Sequence, residues 1–158
     1  MIAALSTTFW GKIIATVLTS MLPVAELRGG LPFGVGLGLP VWAALIASII
    51  GNMIPIPFLL LFLDRIFNWM RTFEKPGEWA RKLEEKGHLK GNKMTRYGAL
   101  GLMILVAIPL PGTGAWTGAL VATVLEMSFK KSIWPIFAGV CIAGLIVAVI
   151  TYGAVSIF

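Results

Sequence analysis

Two stretches of the chain, 41–63 and 132–158, contain no charged residue, and each is long enough to cross a lipid bilayer as a helix. About 20 helical residues span the roughly 30 Å hydrocarbon core. Charged residues make up 13% of the chain and hydrophobic residues 58%, with a mean hydropathy of +0.89, whereas a soluble domain is about one-quarter charged. The sequence therefore predicts an all-α integral membrane protein.

Most of the charge lies in one segment, 64–96, between the two uncharged stretches. This segment holds nine of the 13 Lys and Arg residues and five of the seven Asp and Glu residues. Basic segments beside membrane helices stay on the cytoplasmic side, so we predict a polar, amphipathic connector in the cytoplasm. The same rule explains the net charge of +6 without a nucleic-acid partner.

Two further apolar stretches, 8–39 and 97–126, are interrupted by Pro and Gly residues. The interruptions are Pro23–Pro32 and the run "IPLPGTGAW" at 108–116. The helical pieces beside each interruption are about 15–18 Å long, which is half the depth of the bilayer. We therefore predict two re-entrant helical hairpins, each followed by one of the uncharged transmembrane helices. The two halves would enter from opposite faces as an inverted repeat, which is typical of transporters.

The first interruption carries Glu26 and Arg28, although a charge near the bilayer centre costs on the order of 3 kcal/mol. In an extended stretch these two residues would share a face, and Gly29 and Gly30 allow unusual backbone angles there. Three arrangements remain open: both groups aimed into one cavity, a buried pair that fixes the tip, or a separate partner for each charge on the second tip. In a functional role, Arg28 would hold an anion. Glu26 would carry a proton or a cation, because burial favours the neutral carboxyl.

The second interruption has no charge, but its backbone can approach a ligand closely at Pro109, Pro111, Gly112 and Gly114. We expect Thr113 to be the N-cap of a helix that follows, whose free N–H groups form an anion site.

A third candidate, Asn52, lies at the middle of the stretch 41–63. It could bond carbonyls freed by Pro55 and Pro57, or a substrate. The complete candidate site for a substrate or ion is Glu26, Arg28, Gly29, Gly30, Asn52, Pro109, Pro111, Gly112, Thr113 and Gly114.

Enzyme chemistry has no support in the sequence. No nucleophile or metal cluster accompanies the buried acid, no nucleotide motif is present, and the single histidine, His88, lies in the polar segment. The single cysteine, Cys141, excludes a disulfide framework. We expect no catalytic residue, no metal and no cofactor.

Two motifs, "AELRGGLP" (Ala25–Pro32) and "PLPGTGAWTGAL" (Pro109–Leu120), together resemble the small multidrug export protein family of prokaryotes, over nearly the whole chain. That family is similar, distantly, to the DedA (VTT) superfamily, whose members resemble this layout of hairpins and helices. The resemblance implies a prokaryotic inner membrane and a role in translocating lipid carriers such as undecaprenyl phosphate. Glu26 and Arg28 match the acidic and basic content of its first hairpin. DedA proteins typically carry arginines near the Pro-Gly motif of the second hairpin, where this chain has none.

The sequence thus predicts a small secondary transporter or flippase, coupled to H+ or Na+, with its site between the two hairpin tips. The substrate would be anionic or amphipathic, such as a lipid phosphate. The alternatives are a cationic drug exporter and a non-transporting membrane assembly factor. We expect a homodimer among membrane lipids, because the tips need protein neighbours.

Overall fold

The computed structural model describes residues 8–70, 93–110 and 112–157, and these residues form helices without any strand. The predicted all-α class is confirmed. Most of the connector 64–96 lies outside the described residues. The helical segments are α1 (Phe9–Met21), α2 (Glu26–Gly36), α3 (Val41–Met53), α4 (Pro55–Met70), α5 (Lys93–Ala107), α6 (Ala115–Val124) and α7 (Phe129–Ile157).

Two helices are long and apolar enough to cross a membrane, which agrees with the two uncharged stretches. One is Val41–Ile66, formed by α3 and α4 with only Ile54 between them, and the other is Phe129–Ser156 within α7. The interruption at Ile54 precedes Pro55, which cannot donate a backbone hydrogen bond to the preceding turn. Both helices extend beyond the uncharged stretches, because charged residues are helix formers at a polar end.

Helices α1 and α2 pack against each other in antiparallel directions and form the first hairpin. A Cβ added to Gly34 would lie 2.9 Å from Thr16 Cγ2, and one added to Gly30 would lie 2.9 Å from Ser20 Cβ. The expected extended stretch at the first tip is wrong, since α2 is already helical from Glu26. Close packing explains this difference: Gly30 is a poor helix former but lets the two helices approach.

Helices α5 and α6 form the second hairpin in the same way. A Cβ on Gly118 of α6 would lie 2.6 Å from Val106 Cγ2 of α5. At the open end of this hairpin, a Cβ on Gly98 would lie 3.9 Å from Met127 Sδ. The two ends of the hairpin are therefore neighbours.

Both hairpins end in the same type of helix termination. After α2, the N–H of Leu39 bonds to Gly34 O at 3.1 Å, and Gly38 adopts a φ of 85°. After α6, the N–H of Met127 bonds to Ala122 O at 3.0 Å, and Glu126 adopts a φ of 53°. Each is a Schellman motif, in which a left-handed residue closes the helix. Each motif turns the chain directly into a long apolar helix.

The two hairpins also pack against the rest of the protein through glycines. Gly51 of α3 contacts Val17 and Ser20 of α1 so closely that no Cβ fits, and Gly139 of α7 would place a Cβ 2.7 Å from Met103 O of α5. Helix α2 packs against both α3 and α7, while α6 packs against α4 and α7. Each hairpin therefore lies between the long helices of both halves.

Large apolar side chains cover much of the surface. Trp10 is 70% exposed, Phe58 72% and Val149 72%. A soluble protein rarely exposes such extensive apolar surface, so a lipid environment suits this exterior.

Candidate functional site

The tips of the two hairpins meet inside the bundle. The N-terminus of α2, which carries Glu26 and Arg28, lies against the turn between α5 and α6. Of the arrangements that the sequence left open, the structure has each charge with its own partner on the other tip, and both side chains also line one cavity. Glu26 contacts the start of α6 and Arg28 contacts the turn before it, so the two charges take different partners.

Arg28 is half-buried and holds the turn that follows α5. Its guanidinium donates hydrogen bonds to Leu110 O, to Ile108 O at 2.9 Å and to Thr113 Oγ1 at 3.1 Å. These carbonyls lie beyond the C-terminus of α5, where a positive charge is favourable. In this conformation three of the five N–H donors of Arg28 bond to protein oxygens, which leaves fewer of them for an anion.

Glu26 is 7% exposed and lies at the N-terminus of α6. Its Oε1 accepts a hydrogen bond of 3.4 Å from the backbone N–H of Trp116, which is longer than the usual 2.7–3.2 Å. A Cβ on Gly114 would lie only 2.6 Å from the same oxygen. Only a glycine therefore lets the carboxyl group reach this helix end. Glu26 also has a φ of 46°, a left-handed conformation that is uncommon outside glycine and clusters at functional sites.

A small cavity lies between the two tips and the long helices. Glu26, Arg28 and Asn52 supply its polar surface, and its other lining residues are Leu27, Val106, Gly114, Ala115, Val140 and Ala143. The centre of a water molecule can occupy about 10 Å³ of this cavity. The cavity therefore has room for about one water. Asn52 is 3% exposed, and its Oδ1 is buried without a hydrogen-bond partner. A freed carbonyl would accept a hydrogen bond from Nδ2 of Asn52 rather than from Oδ1, so that expected bond stays a prediction.

The N-cap assignment of Thr113 is wrong. Helix α6 begins at Ala115 with Gly114 as its N-cap, and no side chain caps it there. The Thr113 hydroxyl instead lies 2.8 Å from Ile108 O and 2.9 Å from Leu110 O. The hydroxyl closes its own turn because threonine readily bonds nearby carbonyls. The start of α6 is occupied by the carboxyl group of the protein's own Glu26, which takes the place that the sequence assigned to a ligand.

The other predicted site residues are less central. Gly29 is exposed, Gly30 packs against Ser20 on the side of α1, and neither lines the cavity. Pro109 and Gly112 belong to the turn beside Arg28, and Gly112 needs its glycine for a φ of 84°. Pro111 lies outside the described residues.

Sequence reasoning missed the apolar wall of the cavity and the donor N–H of Trp116. The wall residues resemble any other buried apolar residue in the sequence. The N–H carries no side-chain signal, and its position at the second residue of α6 became clear only with the helix start at Ala115.

This arrangement defines a class: a small helical membrane protein with two broken apolar segments that meet around a buried acid. The chain belongs to the family described as "Putative small multi-drug export protein", whose model matches residues 26–146. The matched region begins at Glu26 and contains both tips and the cavity. No curated protein and no solved structure matches the chain. The family description indicates a transporter-like role in export.

Proposed function

We propose that the protein is a small secondary transporter whose central site is the cavity between the two hairpin tips. The observation that carries this proposal is the meeting of two interrupted apolar segments around a buried Glu26 and a buried Asn52 whose Oδ1 has no hydrogen-bond partner. An ionisable residue within an apolar bundle is expensive and marks ion or substrate pathways. No nucleotide motif is present in the sequence, so an ion gradient is the proposed source of energy, with H+ or Na+ as the coupling ion.

The chemistry of the cavity favours a positively charged group over an anion. The carboxyl of Glu26 and the Oδ1 of Asn52 are both acceptors, and three of the five N–H donors of Arg28 already bond to protein oxygens. The closed cavity admits about one water, so an organic cation would displace the proton of Glu26 only in a more open conformation. Such a cation would suit both this chemistry and the export role in the family description. We therefore rank the cationic exporter first.

A second candidate is translocation of an anionic or amphipathic substrate such as a lipid phosphate. The half-buried position of Arg28 supports it, because the carbonyls that Arg28 now holds could be exchanged for a phosphate. A non-transporting assembly factor is the third reading.

Matching positions in the two halves support an inverted repeat as the basis of transport. The cavity-lining residues of the two halves correspond at a spacing of 88 positions (114 less 26). Glu26 corresponds to Gly114, Leu27 to Ala115 and Asn52 to Val140. The same spacing relates the glycines at the close helix contacts, since Gly30 corresponds to Gly118 and Gly51 to Gly139. It also relates Gly38 and Glu126, the left-handed residues of the two Schellman motifs. A site at the junction of two such repeats is typical of alternating-access transporters.

A flux experiment tests the proposed function. In lipid vesicles that contain the purified full-length protein, a pH gradient should drive ethidium uptake at least tenfold faster than in protein-free vesicles. Glu26→Gln should reduce the rate to the protein-free level, because the amide cannot exchange a proton. Asp64→Asn, a half-buried acid of α4 that does not line the cavity, is the matched control and should retain uptake.

The flux result separates the candidates. Uptake by Glu26→Gln at the wild-type rate would exclude the proposed site. Movement of a fluorescent anionic lipid between leaflets, without ethidium uptake, would favour the second candidate. Absence of both activities would favour an assembly factor.

We further propose that both hairpins re-enter the bilayer of a prokaryotic inner membrane, with the connector 64–96 in the cytoplasm. Cysteines at Gly98 and Ser128, in a Cys141→Ser background, should then react with an impermeant thiol reagent from the same, cytoplasmic side. A cysteine at Gly36, which has nothing within 4 Å of its added Cβ, should react from the opposite side. Labelling of the Gly98 and Ser128 variants from opposite sides would contradict the re-entrant second hairpin.

The apolar exterior also supports the proposed homodimer in a lipid environment. Helices of half the bilayer depth leave polar backbone at the tips, which protein neighbours must shield. The long helices of the same chain supply part of this shielding, and a second copy would supply more.

A further inference from the structure

The cavity contains an unmatched hydrogen-bond acceptor. Asn52 is 3% exposed and lines the cavity with Glu26, yet its Oδ1 has no donor. A buried polar atom without a partner costs about 1–3 kcal/mol, and native proteins avoid this cost. The cavity therefore needs a hydrogen-bond donor that faces Asn52.

The carboxyl group of Glu26, when it is ionised, also lacks hydrogen-bond donors. A buried carboxylate requires several donors, but among the described residues Glu26 accepts one hydrogen bond, from the N–H of Trp116 at 3.4 Å. Arg28 donates to the second tip and leaves Glu26 without a direct ion pair. An ionised Glu26 would thus be left with one long hydrogen bond.

One proton satisfies both groups. We infer that Glu26 binds a proton in this closed conformation and donates it to the Oδ1 of Asn52, so that the Glu26–Asn52 pair is the binding site of the coupling proton. One carboxyl oxygen carries the proton toward Asn52, and Oε1 continues to accept from Trp116. No charge remains on the carboxyl group in the apolar part of the cavity. As a statement about coupling, this inference rests on the proposed transport function.

The surroundings favour a proton over Na+. An alkali ion gives up its water only where several oxygens replace it, and the lining offers such oxygens only from Glu26 and Asn52 among its side chains. The rest of the lining consists of Arg28, apolar side chains and a glycine. The space admits about one water, which is too little for a hydrated ion.

The charged groups around Glu26 are few. From its own helix, Arg28 is the ionisable neighbour. The cavity-lining residues of α3, α5, α6 and α7 carry no ionisable side chain. Titration of the cavity is therefore assigned to Glu26 itself.

Proton release has a consequence for the tips. An ionised Glu26 would interact more strongly with the N-terminus of α6 but would no longer donate to Asn52. It would then need water or a cation in the cavity. Loss of the proton therefore favours a conformation that is open on one side, which is the event that coupling requires.

Infrared spectroscopy of the full-length protein in lipid tests this inference. Wild-type protein near neutral pH should show the C=O band of a buried carboxylic acid. The band should be lost in Glu26→Gln, kept in Asp64→Asn and shifted in frequency in Asn52→Leu, which removes the acceptor. Ser48→Ala lies one turn before Asn52 on the buried face of α3 but outside the cavity lining, and it should leave the band unmoved.

Two results would overturn the inference: a Glu26 that is ionised near neutral pH, or an acid band that Asn52→Leu does not move. If Asn52→Leu fails to fold, Asn52→Ser provides the same test with a shorter side chain. The inference and the proposed function can fail separately. An acid band without ethidium flux would exclude the transporter but keep the proton site, whereas flux without the band would exclude the proton site alone.

Discussion

Gly51→Ala and Gly139→Ala are expected to lower the stability of this protein more than any other glycine-to-alanine substitution. The new Cβ of Gly51→Ala would meet Val17 O and lie 2.9 Å from Val17 Cα, and that of Gly139→Ala would lie 2.7 Å from both Met103 O and Val106 Cβ. Because the obstructing atoms include main chain, the helices must separate. Overpacking costs about 1–3 kcal/mol, and we expect the upper end of that range for each variant.

The matched controls are Gly101→Ala and Gly153→Ala. Both glycines lie in helices and have nothing within 4 Å of an added Cβ. Alanine is favoured over glycine in a helix by about 1 kcal/mol, so these variants should melt at or above the wild-type temperature in detergent. The repeat predicts similar losses for Gly51→Ala and Gly139→Ala. A normal melting temperature for either of them would contradict the close packing of that hairpin on its long helix.

Removal of the Arg28 guanidinium should have the second largest effect. Arg28→Gln deletes the donors to Leu110 O, Ile108 O and Thr113 Oγ1, and a hydrogen bond to a charged group is worth about 1.5–3 kcal/mol. Because Arg28 is half-buried and water can replace part of these bonds, we expect a total loss of about 2 kcal/mol in the free energy of unfolding. Thermal unfolding in detergent measures this loss.

Arg28→Lys and Thr113→Val complete this test. Lysine keeps the charge but lacks the planar fork, so it should recover part of the stability. Thr113→Val should lower the free energy of unfolding less in the Arg28→Gln background than in wild type, because Arg28 and Thr113 share a hydrogen bond of 3.1 Å. A different outcome, normal melting of Arg28→Gln with complete loss of flux, would show that Arg28 binds substrate and would support the anionic candidate over the cationic one.

The long helices were predictable because lack of charge over a membrane-spanning length is a strong and simple constraint. The two tips were predictable as interruptions, since Pro and Gly mark them in the sequence. The local structure of the first tip was not predictable in this way. Gly29, Gly30 and Pro32 disfavour a helix by intrinsic propensity, yet α2 passes through all three. Packing of Gly30 against Ser20 outweighs that preference, and such packing is a tertiary contact that no local pattern reveals.

The candidate site was also predictable only in part. Residue types identified Glu26, Arg28 and Asn52, which line one cavity in the structure. Their partners could not be predicted, because those of Glu26 and Arg28 are mostly main-chain groups some 80 to 90 residues away in sequence. Thr113 illustrates the difficulty: the same side chain suits an N-cap and a turn, and the position of Arg28 and Glu26 decides between them.

Chemical modification of the Glu26 carboxyl tests most directly whether this group is the site of transport. A membrane-soluble carbodiimide reacts with protonated carboxyl groups in apolar surroundings, and mass spectrometry of the digested protein locates the product. We predict modification at Glu26 in reconstituted wild-type protein, slowed several-fold by ethidium, with no product at that position in Glu26→Gln and normal modification in Asp64→Asn. A wild-type protein whose Glu26 is unmodified, or is modified at the same rate with and without ethidium, would contradict a substrate site between the hairpin tips.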